Sequence, residues 1–230
     1  MISEDRVSNF WLSFGLAFVG GYGDAASFVL ADTFTGHITG AFVLTAISIA
    51  GHDWPTFYRR LTGIAFFLAG ILLSVILERS VATRLSRFLL PSVMGIEIVL
   101  ISTAYVALTS NLANGLGLFV SCMSLALGLQ NGAWRRAGGI SVHTTYLTGM
   151  VTDLVTTATE RRFSSAAPRR ESQPNPKVSL LCGTWLAFVF GAWTGATMVL
   201  RFQALGTLGA AVPLLAMMIF RSRTMSRIPS

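Results

Sequence analysis

Eight apolar runs follow one another through nearly the whole chain, at residues 10–31, 36–51, 61–78, 89–108, 112–131, 142–158, 178–200 and 203–220. A helix needs roughly 20 apolar residues to cross the hydrocarbon of a bilayer, and most of these runs reach or approach that length. Only 12% of the 230 residues are charged, against 53% hydrophobic, and an ordinary soluble domain carries about twice that charge. Such a chain cannot hide its apolar surface in a water-soluble core, and no stretch is left over for a soluble catalytic domain. The expected fold is therefore all-α, a polytopic transmembrane helical bundle forming a single membrane domain over 1–230.

The charges are arranged in keeping with that expectation. The 17 Lys and Arg outnumber the 10 Asp and Glu, but they sit in short clusters between apolar runs and not along one aromatic-interleaved face, which argues against nucleic acid. They read as topology signals facing the cytoplasm and anionic lipid. The one long polar stretch, 159–177, is rich in Pro, Ser and basic residues and suits a flexible basic loop. Glu4, Asp5 and Arg6 precede the first run without a cleavage pattern, so that run is read as a first membrane helix.

The two halves of the chain resemble each other. Segment two carries His37-Ile38-Thr39-Gly40 and segment six Tyr146-Leu147-Thr148-Gly149; segment three has Phe67-Leu68-Ala69-Gly70 where segment seven has Phe188-Val189-Phe190-Gly191. Gly21-Tyr22-Gly23-Asp24 in segment one answers to Gly128-Leu129-Gln130-Asn131 in segment five. These correspondences point to two internal repeats of four hydrophobic segments each, about 10–108 and 112–220. If all eight segments cross from a cytoplasmic N-terminus, 11 basic residues lie inside; if segments two and six enter and leave by one face, 14 do. The re-entrant arrangement fits the positive-inside bias better, and three crossings per half give the two halves opposite orientation, as in many secondary transporters. Both termini are then cytoplasmic.

Helix packing is legible too. Gly183, Ala187, Gly191 and Gly195 recur every fourth residue in segment seven, and Ser124, Gly128 and Gly132 do so in segment five. Stripes of small residues let backbones approach closely in lipid, where apolar burial gives little drive.

Candidate functional residues are the polar ones inside the apolar runs, because a carboxylate at mid-membrane costs about 3 kcal/mol and needs a partner or a function. Asp24, flanked by glycines, Glu97 in segment four, and Asp153, a turn beyond Thr148-Gly149, are the acidic candidates. Thr145, Thr148, Gly149, Thr152 and Thr156 share one helix face, either as small polar packing contacts or as the lining of a hydrophilic path. Gln130 and Asn131 either cap segment five or face the same cavity as Asp24. His37 stands at the entrance of segment two with Thr39 and Gly40 beyond it, and reads first as a cap or interface residue. Cys122 and Cys182 read as small core residues, with no metal-ligand spacing around them. No nucleophile with a base, phosphate loop or zinc helix is present, so neither an enzyme nor a cofactor is expected.

Gly21-Tyr22-Gly23-Asp24-Ala25-Ala26-Ser27-Phe28, then Phe34 and His37-Ile38-Thr39-Gly40, and later Gly128-Leu129-Gln130-Asn131-Gly132 through Thr144-Thr145-Tyr146-Leu147-Thr148-Gly149, give the chain its family likeness. With these motifs in this order it resembles the YoaK-like family of bacterial membrane proteins, a family of unknown function, over nearly its whole length. The resemblance implies a bacterial cytoplasmic (inner) membrane location, multi-pass, and a compact helical fold, with no activity or substrate attached. Ala41 follows the first Thr-Gly where the family commonly has Asn.

The function expected from these features is a small secondary transporter or channel-like permease. Asp24 and Asp153 would couple a proton or cation, and Thr39, Thr148, Gln130 and Asn131 would contact the cargo. The alternative is a non-transporting membrane sensor, assembly or structural component. Expected partners are membrane lipid and a small solute or ion, and a homo-oligomer is admitted.

Overall fold

The computed structural model describes residues 2–80, 89–134, 136–137, 140–141, 149, 151–152, 154–157, 159 and 176–225. Helices α1 (Ile2–Ala31), α2 (Ile38–Ala50), α3 (Trp54–Ser80), α4 (Leu89–Thr109) and α5 (Gly115–Ala133) are followed by two-residue strands β1 (Arg136–Ala137) and β2 (Ile140–Ser141). Then come α6 (Pro176–Phe202), a 3-10 segment (Gln203–Ala210) and α7 (Ala211–Met225). Residues 149, 151–152, 154–157 and 159 of segment six are helical as well. Among the described residues the architecture is all-helical apart from the small antiparallel β1–β2 ladder, in which Arg136 faces Ser141 and Ala137 faces Ile140.

Among the described residues, five stretches are long and apolar enough to cross a membrane: Phe10–Ala31, Trp54–Ser80, Leu89–Thr109, Gly115–Ala133 and Val178–Arg221. This is the pattern of a multi-pass membrane protein. Large apolar side chains such as Phe42, Leu72, Val99, Leu186 and Phe220 stand exposed on the outside, where lipid and not water is the natural solvent. Segment eight departs from expectation. Gln203 takes a positive φ of 49° and opens eight residues of 3-10 helix, and α7 begins only at Ala211. The reason is close packing at glycine: a Cβ on Gly206 would lie 2.6 Å from the Met198 carbonyl, so the chain doubles back tightly onto α6. The Tyr22 hydroxyl, donating to the Gly206 carbonyl, ties this bend to α1.

Helix directions follow from which residues touch. Gly191 lies on the Phe18 carbonyl and Gly195 on Tyr22, so α1 and α6 run parallel in close contact. Gly63 meets Val120 and Ser124, Gly128 meets Phe67, and Gly132 meets Ser74, so α3 and α5 are parallel too. By contrast the Gln130 amide reaches Leu16 and the Trp134 indole reaches Ser13, while Gly23 rests on Met123 and Leu127, so α1 and α5 are antiparallel. It follows that α1 and α3 are antiparallel, and that segment two leaves α1 and joins α3 at the same end of the bundle. The small-residue stripes of segments five and seven are the contact faces of the two parallel pairs.

The contacts within those pairs correspond closely. A Cβ on Gly21 would overlap the Phe188 carbonyl, and one on Gly128 would overlap the Phe67 carbonyl; Gly191 sits on the Phe18 carbonyl and Gly70 on that of Leu125. Residues 18 and 21 correspond to 125 and 128, and residues 67 and 70 to 188 and 191, with one displacement for each helix.

Candidate functional site

Asp24 is 3% exposed, facing the bundle interior. Helix α1 continues past it to Ala31, about 10 Å further at the usual helical rise. The chain then turns back: Thr35 and Gly36 donate their backbone N–H groups to Asp24 Oδ1, at 2.9 and 2.7 Å. The Thr35 hydroxyl donates to Ser27 at 3.0 Å, and Phe34 stacks on Phe28 with ring centroids 4.7 Å apart. Residues 32–36 thus descend along α1, and α2 climbs out again against α3. An unwound stretch with no ladder of its own must find partners for its backbone, and the carboxylate supplies them. Its second oxygen, Oδ2, is buried with no partner.

Arg60, near the start of α3, fixes the other side of this segment. It is buried, and its guanidinium donates to the Asp32 carbonyl at 3.2 Å, the Asp32 carboxylate at 2.5 Å, and the Leu44 carbonyl and Ser48 hydroxyl at 2.6 Å each. Asp32 itself takes a positive φ of 49° at the turn out of α1. One cation therefore pins the end of α1, the turn and the middle of α2 to α3, using the planar fork that suits arginine to several acceptors at once. In the sequence Arg60 is one of several basic residues between apolar runs, and Asp32 stands just beyond the first run. Nothing local in the sequence joins residues 32, 44, 48 and 60.

The remaining candidates fall into place unequally. His37 is half-buried with its ring against Phe34, and Gly40 is held close because a Cβ there would lie 2.9 Å from His37 and 3.0 Å from Phe34. Thr39 is exposed on the outer side of α2 and is not part of the polar interior. Glu97, on the inward face of α4, is completely buried, and both its carboxyl oxygens are without partners. Gln130 is buried, and its amide nitrogen donates to the Leu16 carbonyl at 3.0 Å, which binds α5 to α1. Asn131 is half-buried with its side-chain oxygen enclosed and unpaired, and the Ser124 hydroxyl is likewise buried without a partner. Gly149 is helical and half-buried, whereas Thr145, Thr148 and Asp153 lie outside the described residues.

Among the described residues no three His, Cys, Asp or Glu side chains gather as metal ligands, and Cys122 and Cys182 are free thiols. A depression of about 660 Å³ opens between the starts of α3 and α5, lined by Tyr58, Arg59, Thr62, Asn114 and Ser121 among others. Neither Asp24 nor Glu97 lines it. The interior polar atoms and this surface depression are separate features.

Comparison with curated proteins and with solved structures gives no match to this chain. Residues 12–220, almost the entire helical bundle together with Asp24, Glu97, Gln130 and Asn131, match the family model described as a protein of unknown function (DUF1275), and the chain belongs to that family.

Proposed function

We propose that this protein is a small secondary transporter or channel-like permease of the bacterial cytoplasmic membrane, with Asp24 as its ion-coupling carboxylate at the head of a re-entrant segment. The observation that carries the proposal is the state of that carboxyl group: one oxygen accepts two backbone N–H groups of an unwound stretch, and the other is buried with no partner. Such a half-used carboxylate beside broken backbone is the kind of group with which transporters bind a proton or cation at the bilayer interior.

Three further features support it. Segment two, which is too short to span on its own, begins and ends at one end of the bundle. The matched glycine contacts of the α1–α6 and α3–α5 pairs are those expected of two copies of one unit related by a pseudo-two-fold axis. With α1 and α5 antiparallel, the two units have opposite orientation, and the basic residues concentrate on one side as the positive-inside rule requires. In this reading segment six is the second re-entrant element, Asp153 the second coupling carboxylate, and Thr148 and Asn131 contact the cargo. The cargo is a small solute or ion, and no catalytic step is involved.

The test is flux through purified protein in liposomes. Asp24→Asn keeps an oxygen that can accept from Thr35 and Gly36, so the fold should persist while flux is lost. Undiminished flux in that variant removes Asp24 from the mechanism. Wild-type liposomes inert toward a broad panel of solutes and ions would favour a sensor, assembly or structural role, in which Asp24 and Arg60 only hold segment two in place.

A further inference from the structure

We infer that Glu97 is a proton-binding site of the bundle interior, holding H⁺ and not a metal cation. The purpose of that proton rests on the transport reading above; its presence on Glu97 rests on the surroundings of Glu97 alone.

Glu97 lies on the buried stripe of α4 formed by Leu90, Val93, Met94, Ile101, Ala104 and Ala107. Gly115 at the start of α5 meets Ala107 near the end of α4. Counting back along this antiparallel pair puts Glu97 about level with Ser124, in the middle of the bundle.

Among the described residues, the elements packed on α4 offer it no counter-charge. Helix α5 carries no charged residue, and its one titratable side chain is Cys122; the 3-10 segment carries none. Helix α7 has Arg221, about three turns away toward the end where Met217 meets Gly15, and Arg223 beyond it. Helix α3, which only grazes α4, has Arg59 and Arg60 near one end and Glu78 and Arg79 near the other. Asp24 on α1 is another acid.

An ionised carboxylate in such a place lacks both a cation and hydrogen-bond donors, and the penalty of isolating it exceeds that of holding it as the neutral acid. A metal ion fits no better. Hard cations need several oxygen ligands around them, whereas neither Glu97 oxygen has any polar partner, and no three metal-ligating side chains gather among the described residues. A proton needs only the carboxylate itself. On release, the O–H bond of the acid breaks, the electron pair stays on the carboxylate, and the proton passes to water admitted when α4 and its neighbours part. Recapture from the opposite side completes one transfer.

The test is infrared spectroscopy of the full chain in liposomes at neutral pH, comparing wild type with Glu97→Gln. Gln is neutral and nearly the same size as the protonated acid, so the variant should fold with wild-type helix content. The expected result is a protonated-carboxyl C=O component in the wild type that is lost in the variant and unmoved by added Na⁺ or K⁺. If the wild type and variant match in that region, Glu97 is ionised at rest and the inference is overturned. Loss of the wild-type band on adding Na⁺ or K⁺ overturns the choice of H⁺. Should Glu97→Gln fail to fold, the ¹³C carboxyl resonance of Glu97 in labelled wild-type protein makes the same decision. A band that behaves as expected in liposomes that move nothing would sink the transport reading and leave the proton on Glu97.

Discussion

Replacing Gly195 with alanine is the most direct test of how the bundle is held together. The added Cβ would lie 2.5 Å from the Tyr22 carbonyl oxygen, 2.8 Å from its Cα and 3.0 Å from its carbonyl carbon. All three atoms are backbone of α1, so no side chain can swing aside. Ordinary van der Waals separation is roughly 3.5 Å, so α1 and α6 must part locally by about 1 Å. Overpacking of this kind costs about 1–3 kcal/mol, and it opens an interface that also contains Phe18–Gly191 and Gly21–Phe188. Gly95→Ala supplies the control, since nothing lies within 4 Å of a Cβ there, and alanine in a helix interior is favoured over glycine by about 0.5–1 kcal/mol. In denaturant titration in mixed micelles followed by circular dichroism, Gly195→Ala should therefore be the less stable variant, by about 1–3 kcal/mol, and Gly95→Ala slightly more stable than wild type. Equal stabilities for the two variants would refute the claim that direct backbone contact sets these helix pairs.

Other substitutions address the polar interior. Asp24→Leu strands two buried N–H groups, each at a cost of about 1–3 kcal/mol, so it should unfold at lower denaturant than Asp24→Asn in the same titration. Arg60→Met removes four hydrogen bonds while leaving Asp32 largely open to water; a loss of about 1–3 kcal/mol should accompany faster thiol labelling of a cysteine placed at Thr45 on the inner face of α2. Asp53 accepts from the Thr56 N–H at the start of α3, and its bonds to Thr56 hold its carboxyl below the usual carboxylate range. A lowered value means that its contribution is full above the unfolded-state value of about 3.9 and is lost as pH falls through the lower folded one. Asp53→Ala should flatten the acid limb of stability against pH. Single cysteines at positions 53 and 169 should react with impermeant reagent from opposite sides of the membrane if segments two and six are both re-entrant, and from the same side if every segment crosses.

Much of the fold could be read in advance because the features that build it are local. Run length and charge gaps located α3, α4, α5 and α6 to within a few residues or one or two turns, and the four-residue step of Gly183, Ala187, Gly191 and Gly195 marked a face that does carry a helix contact. The family expected from the Gly-Tyr-Gly-Asp and Thr-Gly motifs, one of unknown function, agrees with the family shown by residues 12–220. Asp24 stood out because a carboxylate between glycines in an apolar run has few inexpensive explanations. Its hydrogen bonds, however, come from Thr35 and Gly36, and only the return of the chain reveals that. Arg60 was hidden for the same reason: an arginine near a helix start looks like a surface charge until the turn at Asp32 and the middle of α2 are folded over it. The break in segment eight escaped because residues 204–210 stay mostly apolar, and hydropathy is blind to a positive φ.

The dependence of α2 on Arg60 also constrains biosynthesis. Thirteen residues are too few to partition into lipid as an independent span, and the groups that hold them lie both before and after them in the chain. When α1 leaves the ribosome, Asp24 can receive the turn, but the guanidinium that fastens Leu44 and Ser48 has still to be translated. Segment two must then be installed late, after α3 has been made, and a nascent chain halted short of residue 60 should leave α2 accessible to protease.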